Sequence, residues 1–257
     1  MGDGHKVAVV TGAAGGLGRA VAAGLAGRGC RLVLADIDPA GMAETALMCG
    51  ADVLQLETDL TRPEAPDEIV AQASSRFGQL DILVNNAGYG TIEPFLEMTA
   101  KTWDRTLDLN LRAVALLCAA AGRHMRDRRT GRIVNITSPA SRMALPVYTA
   151  YAASKAGVDA VTRAAAVALA PYGVAVNSLA PGMMDTPMQR VTERQIAEIE
   201  GRTGEIDAFL AERTRRIPLG RRVDCDEVAQ GVIWLALDAS PYVTAERLNF
   251  SGGLDKD

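Results

Sequence analysis

Thr11-Gly12-Ala13-Ala14-Gly15-Gly16-Leu17-Gly18 follows an apolar run, Lys6–Thr11, and opens a stretch of helical character, Leu17–Arg28. A phosphate group needs close backbone approach and amide N–H groups aimed at it. Glycine supplies the approach, because it has no Cβ and tolerates positive φ. The helix N-terminus supplies the amides and a partial positive charge. The glycines are spaced GxxxGxG, not GxGxxG as in most dinucleotide turns. Gly12, Gly15, Gly16, Leu17 and Gly18 are therefore candidates to hold a pyrophosphate.

Working outward, the same alternation continues to the end of the chain. Runs rich in Val, Ile and Leu read as strands at Lys6–Thr11, Arg31–Ala35, Asp52–Glu57, Ile82–Val84, Arg132–Thr137, Val174–Leu179 and Glu246–Phe250. Between them, Leu17–Arg28, Pro39–Met48, Pro63–Phe77, Ala100–Met125, Ala150–Ala170 and Glu227–Leu237 read as helices. Alternating strands and helices build a parallel sheet covered on both faces, a doubly wound α/β fold. There is no repeat, low-complexity tract or linker, so residues 1–257 read as a single domain.

Composition removes other classes. The charged fraction is 23% and the net charge −4, so the chain is neither a disordered tail nor a basic nucleic-acid binder. No apolar run is long enough for a membrane span. Met1 to Lys6 is short and polar and reads as no signal peptide. Four cysteines without a CxxC pair fit a reduced, cytoplasmic setting, and only two histidines without HExxH speak against a metal site.

Asp36 closes the second strand, eighteen residues past Gly18. A carboxylate there accepts hydrogen bonds from the adenosine ribose hydroxyls and repels a 2′-phosphate, which points to NAD rather than NADP. No basic residue stands at Ala14, Gly15 or Ile37 to offset it, and Asp38 before Pro39 has its own use as a helix N-cap.

Tyr151-Ala152-Ala153-Ser154-Lys155 sets a phenol and an ammonium one helical turn apart. Tyrosine ionises near pH ~10 and is a poor base at neutrality, but a nearby cation favours the phenolate. Lys155 is expected to lower the Tyr151 pKa, together with a positive cofactor ring. Ser138 ends the fifth strand, thirteen residues before Tyr151, with no GxSxG elbow to make it an acyl-transfer nucleophile. Asn110 interrupts a strong helical run, either as a tolerated polar contact or to position a water. The glycine turn, Asp36, Asp59, Asn86-Ala87-Gly88, Ser138 and Pro181-Gly182 through Thr186 follow six successive strands at their carboxyl ends, the edge where open α/β sheets bind ligands.

With these residues in view, the chain resembles the short-chain dehydrogenase/reductase family from Lys6 to Gly253, loosely nearest its polyol, diol and sugar dehydrogenases. Thr11-Gly12 with Gly16 and Gly18 is similar to the family's cofactor turn, Asn86-Ala87-Gly88 to its NAG motif, and Pro181-Gly182 with Thr186 to its PG motif. Asn110, Ser138, Tyr151 and Lys155 match its catalytic tetrad in order and spacing.

The resemblance implies a single seven-stranded Rossmann domain, NAD as cofactor, a small alcohol or carbonyl substrate and a homotetramer, with no nucleic acid or membrane partner. It implies Tyr151 as acid/base, Ser138 orienting the carbonyl, Lys155 holding the nicotinamide ribose and depressing the Tyr pKa, and Asn110 organising a relay water. Asp59 and Leu60 fall where the family contacts adenine, and Thr186 where it contacts the carboxamide. Ala245 in place of glycine, Phe250-Ser251 in place of Val-Asp, and Pro139 after Ser138 depart from the pattern. The alternatives are a 3-oxoacyl thioester reductase and a non-catalytic cofactor-binding regulator.

Met183 to Arg216 carries no strand signal and is dense in charge. Its charges read as a solvated helix face. The segment is expected to be a mobile substrate lid, a docked helix pair with Val191, Ile196, Ile199, Phe209 and Leu210 facing inward.

Overall fold

The computed structural model describes residues 5–50 and 52–255. Seven strands form one sheet: β1 Val7–Thr11, β2 Arg31–Asp36, β3 Val53–Glu57, β4 Ile82–Asn85, β5 Gly131–Ile136, β6 Val174–Pro181 and β7 Arg247–Phe250. The order is β3-β2-β1-β4-β5-β6-β7 and every pairing is parallel. The order reverses between β1 and β4, and the resulting crevice lies at the strands' carboxyl ends.

The central strands read as unbroken apolar runs because both faces are covered. All five residues of β1 are buried, as are all eight of β6. Side chains alternate between two cores. Ala8, Val10, Leu32 and Leu34 pack beneath α1 (Gly16–Gly27) and α9 (Cys225–Ile233). Val7, Val9, Val33 and Leu83 face α3 (Ala65–Phe77), α5 (Ala113–Arg128) and α6 (Thr149–Leu169). The helix α2 (Pro39–Cys49) starts on Asp38, whose Oδ1 accepts the N–H groups of Ala40 and Gly41 at 3.1 Å each, the expected cap. Among the described residues no helix is long and apolar enough to cross a membrane.

The run expected as one helix over Ala100–Met125 is α4 (Ala100–Leu107) and α5 joined by a π-turn at Asp108–Arg112. There the Ala113 N–H bonds the carbonyl of Asp108, five residues back. Met183 to Arg216 holds the expected helix pair, α7 (Pro187–Ile199) and α8 (Ile206–Arg215), docked on a small cluster of Ile196, Ala197 and Phe209.

Ile196 and Phe209 point inward as expected, and Leu210 packs against them. Val191 and Ile199 do not: they are 56% and 43% exposed, on the outer side of α7. The charges of this segment are also not all solvated. Glu193 is fully buried, held by Arg222 at 2.8 Å and Arg213 at 3.2 Å. A glutamate so placed needs a cation, and two arginines from later in the chain supply it.

Ala245, where the family pattern has glycine, holds φ at +65°. That conformation costs an L-residue roughly 1–2 kcal/mol.

Candidate active site

The glycine turn is built from the backbone. Gly12 and Gly16 have φ of +65° and +51°. A Cβ on Gly18 would lie 1.9 Å from the Gly12 carbonyl oxygen, so no other residue fits where α1 enters the turn. A Cβ on Gly15 would meet nothing within 4 Å, leaving that position open toward the crevice. Leu17 turns its side chain into the core. Open space beside N–H groups at a helix start is the cradle a pyrophosphate requires.

The NAG segment is sewn to this turn. Asn86 Nδ2 donates to the carbonyls of Thr11 and Gly12 at 3.0 and 3.1 Å. The Thr11 hydroxyl accepts the N–H groups of Asn86 and Ala87 at 3.0 and 3.1 Å. Thr11 thus holds two motifs in register, a role that the motif pattern alone did not assign. Asp36 lies beside them: its Oδ2 accepts the Ala14 N–H at 3.0 Å and its Oδ1 the Asp38 N–H at 3.1 Å. Each oxygen keeps capacity for a further bond.

Arg19 also reaches this corner, which sequence inspection of positions 14, 15 and 37 missed. It donates to the Ala14 carbonyl at 2.6 Å, but its charge is matched by Glu44 at 2.7 Å. Asp59 lies at the same edge, exposed, its Oδ1 accepting the Thr61 N–H and hydroxyl at 2.8 and 2.7 Å. Those bonds hold its carboxyl below the usual range. The side chain of Leu60 is buried in the core.

On the other side of the crevice, α6 presents Tyr151 and Lys155, with the Lys155 Nζ 5.7 Å from the Tyr151 ring centre. Ser138 caps the short turn Pro139–Arg142, its Oγ accepting the Ala140 N–H at 3.2 Å, and it hydrogen-bonds the Tyr151 phenol. Asn110 is fully buried in the π-turn. Its side chain clasps the backbone of Tyr89 through Oδ1 at 3.1 Å and Nδ2 at 2.9 Å, and donates to Ser154 at 3.2 Å. A Cβ on Gly88 would lie 3.0 Å from Asn110 Oδ1 and 3.6 Å from Lys155 Nζ, so the three sit together. Pro181 and Gly182 leave β6 against Ser251, and Thr186 caps α7 through the Gln189 N–H at 3.2 Å. Its methyl lies 4.0 Å from where a Gly16 Cβ would be, which brings the PG segment back over the glycine turn.

Burial dominates the electrostatics of the site. Burial pushes the Tyr151 phenol up, and the hydrogen bond with Ser138 only partly opposes it. The Lys155 Nζ donates to the Ile136 carbonyl at 2.9 Å, and burial pushes the amine itself down to about 8, with Asp159 pulling the other way. Tyr148, stacked edge-on to Tyr151 at 5.0 Å, is pushed to about 12 by burial and bonds Thr192 on α7. It therefore stays a neutral donor.

A family model described as enoyl-(acyl carrier protein) reductase matches residues 12–255. The chain belongs to the short-chain dehydrogenase/reductase family. It is 34% identical over 251 residues to galactitol 2-dehydrogenase of Agrobacterium fabrum (strain C58 / ATCC 33970), covering 97% of each chain. Among solved structures it is similar to NAD+-bound xylitol dehydrogenase, with a TM-score of 0.92, 30% identity and 96% and 98% of the two chains covered. It is equally similar to an actinorhodin polyketide ketoreductase variant with NADPH, with a TM-score of 0.94, 31% identity and both chains covered fully. As a short-chain dehydrogenase/reductase the chain is an oxidoreductase of alcohol and carbonyl groups that uses a nicotinamide cofactor.

Proposed function

We propose that this chain is an NAD-dependent dehydrogenase for a small secondary alcohol or ketone of polyol, sugar or diol type. The observation that carries the cofactor choice is Asp36, a carboxylate seated on the Ala14 amide at the edge of the glycine turn. A 2′-phosphate there would meet like charge, and Arg19, the cation that reaches this corner, is paired with Glu44. The substrate class is supported by the galactitol and xylitol relatives, by the Ser138 hydroxyl bonded to Tyr151, and by the Tyr148 and Thr192 hydroxyls bonded to each other nearby.

In this reading Tyr151 takes the hydroxyl proton of the alcohol, or returns it to the ketone. Ser138 fixes the substrate oxygen beside the phenol. Lys155, freed from the Ile136 carbonyl, holds the nicotinamide ribose and lowers the Tyr151 pKa. Asn110 holds the backbone against which a relay water lies. Bound NAD supplies the hydride acceptor and a positive ring that favours the phenolate. The segment 183–216 is the substrate lid, tied to the site where Thr192 meets Tyr148. A homotetramer fits the exposed Leu116 on α5 and Val167 on α6, and light scattering tests it.

The test is initial-rate kinetics with both cofactors against polyols, diols, sugars and 3-oxoacyl thioesters, followed by NADH absorbance. Turnover of a polyol or diol with NAD, and improved NADP use by Asp36→Ala, is the expected result. Equal or better efficiency with NADP, or a thioester as the preferred substrate, overturns it in favour of the acyl reductase reading that the NADPH-bound relative represents.

A further inference from the structure

Arg247, on β7, is the centre of a buried charge cluster that no motif includes. Its side chain is 8% exposed, and its partners Asp159 and Asp255 are 9% and 3% exposed. Its Nη2 lies 2.7 Å from Asp255 and donates to the Ser138 carbonyl at 3.1 Å. Its Nε lies 3.4 Å from Asp159, and its Nη1 bonds Asn249. Asp159 in turn accepts the Ser141 hydroxyl at 2.7 Å and the Ser178 hydroxyl at 3.5 Å. The turn that presents Ser138 is therefore held from both ends, its carbonyl by Arg247 and Ser141 by Asp159.

We propose that Arg247, braced by Asp159 and Asp255, is a positioning residue that fixes the Ser138 turn against the helix bearing Tyr151 and Lys155. Asp159 lies one helical turn past Lys155 on α6, which puts the brace and the ammonium on one face. Two carboxylates and one guanidinium leave a net negative charge, and the Lys155 ammonium brings the buried set to neutrality. Stability alone gives little reason for this arrangement, since apolar residues of like volume do as well as a buried ion cluster. What arginine adds is direction: one planar fork bonds a carbonyl and faces two carboxylates, which no apolar side chain and no lysine reproduces.

The proposal rests on the reading that Ser138 and Tyr151 act on the substrate oxygen, and its test separates the two. Arg247→Met, Arg247→Lys and Asp255→Asn are compared with the wild-type chain for NADH affinity by fluorescence, for kcat and KM, and for hydrogen exchange of residues 138–143. Displacement of a reacting group by about 1 Å costs up to about 10²-fold, so kcat is expected to fall about tenfold to a hundredfold in Arg247→Met at unchanged NADH affinity. Exchange should rise in 138–143 while β6 stays protected, Arg247→Lys should recover part of both, and Asp255→Asn, which keeps the Arg247–Asp159 pair, should show a smaller change in the same place.

Unchanged kcat with unchanged exchange in 138–143 overturns the proposal. So does exchange raised across the whole sheet with NADH binding lost, which is a purely structural role; if Arg247→Met fails to fold, Asp255→Asn decides by the same two criteria. Should the wild-type chain turn over nothing in the panel, the functional reading fails and the exchange measurement alone decides the brace.

Discussion

Between β1 and α1 the chain is held by its own backbone, whereas between α7 and α8 it is held by ions. The glycine turn has two residues at positive φ and a contact at Gly18 that excludes any Cβ. The α7–α8 segment is fastened by one buried glutamate between two arginines, one on α8 and one beyond it, over a cluster of Ile196, Ala197 and Phe209. Ion pairs can be loosened one at a time, whereas a backbone conformation that excludes a Cβ cannot. The difference teaches which half is fixed by backbone geometry and which half by charge.

Tyr151 lies on the seam between these halves, so its loss should leave both intact. Tyr151→Phe is expected to cut turnover by about 10²–10⁴, the scale of general acid/base catalysis, with NADH binding and thermal midpoint unchanged. A variant with a near-normal rate would remove Tyr151 from the proposed mechanism. Gly18→Ala attacks the backbone half: it should destabilise by about 3 kcal/mol through overpacking and abolish measurable NADH binding. Ordinary binding in that variant, measured by titration, would mean the turn is as adaptable as the α7–α8 segment.

Glu193→Gln attacks the ionic half. Removing the charge leaves two arginines facing a neutral amide, and breaking a fully buried pair costs about 3–5 kcal/mol, an upper bound here because both arginines are partly exposed. Hydrogen exchange should rise in 187–215 and KM should climb while NADH affinity holds. If the segment exchanges no faster than in the wild-type chain, the clamp is not what holds it. The smallest effect belongs to Gly15→Ala. Its added methyl meets no protein atom and its φ of −170° suits any residue, so stability should move by less than about 0.5 kcal/mol. A fall in NADH affinity at unchanged stability would mark Gly15 as facing the pyrophosphate.

The same division explains what could be read from the sequence. The strands, the turn and the carboxyl-edge positions of Asp36, Asn86, Ser138 and Pro181 were legible because each follows from local rules: apolar runs, glycine where a Cβ is excluded, a turn after each strand. Asn110 was noticed as a poor interior helix residue, and the π-turn it occupies is the reason. The Glu193 clamp was not legible, since Arg213 and Arg222 lie 20 and 29 residues away and nothing local distinguishes them from solvated charges. Arg247 escaped for the same reason, with its Ser138 contact spanning 109 residues. Spacing gave the nearness of Lys155 to Tyr151 but not the Ile136 carbonyl, nineteen residues back, that accepts from the ammonium.

The π-turn also acts as a phase element. Each residue of an α-helix turns the chain by about 100°, so one residue wound into a wider turn offsets everything before it relative to everything after. Through Asp108–Arg112 the outward face of α4 and the core face of α5 are set by separate clocks. Asn110 stands where the two meet, and it keeps its grip on Tyr89 without dragging either helix round. Shortening this stretch by one residue would heal the helix and rotate α4 by more than a quarter turn, so the extra residue is a spacer that lets the asparagine and the core be satisfied together.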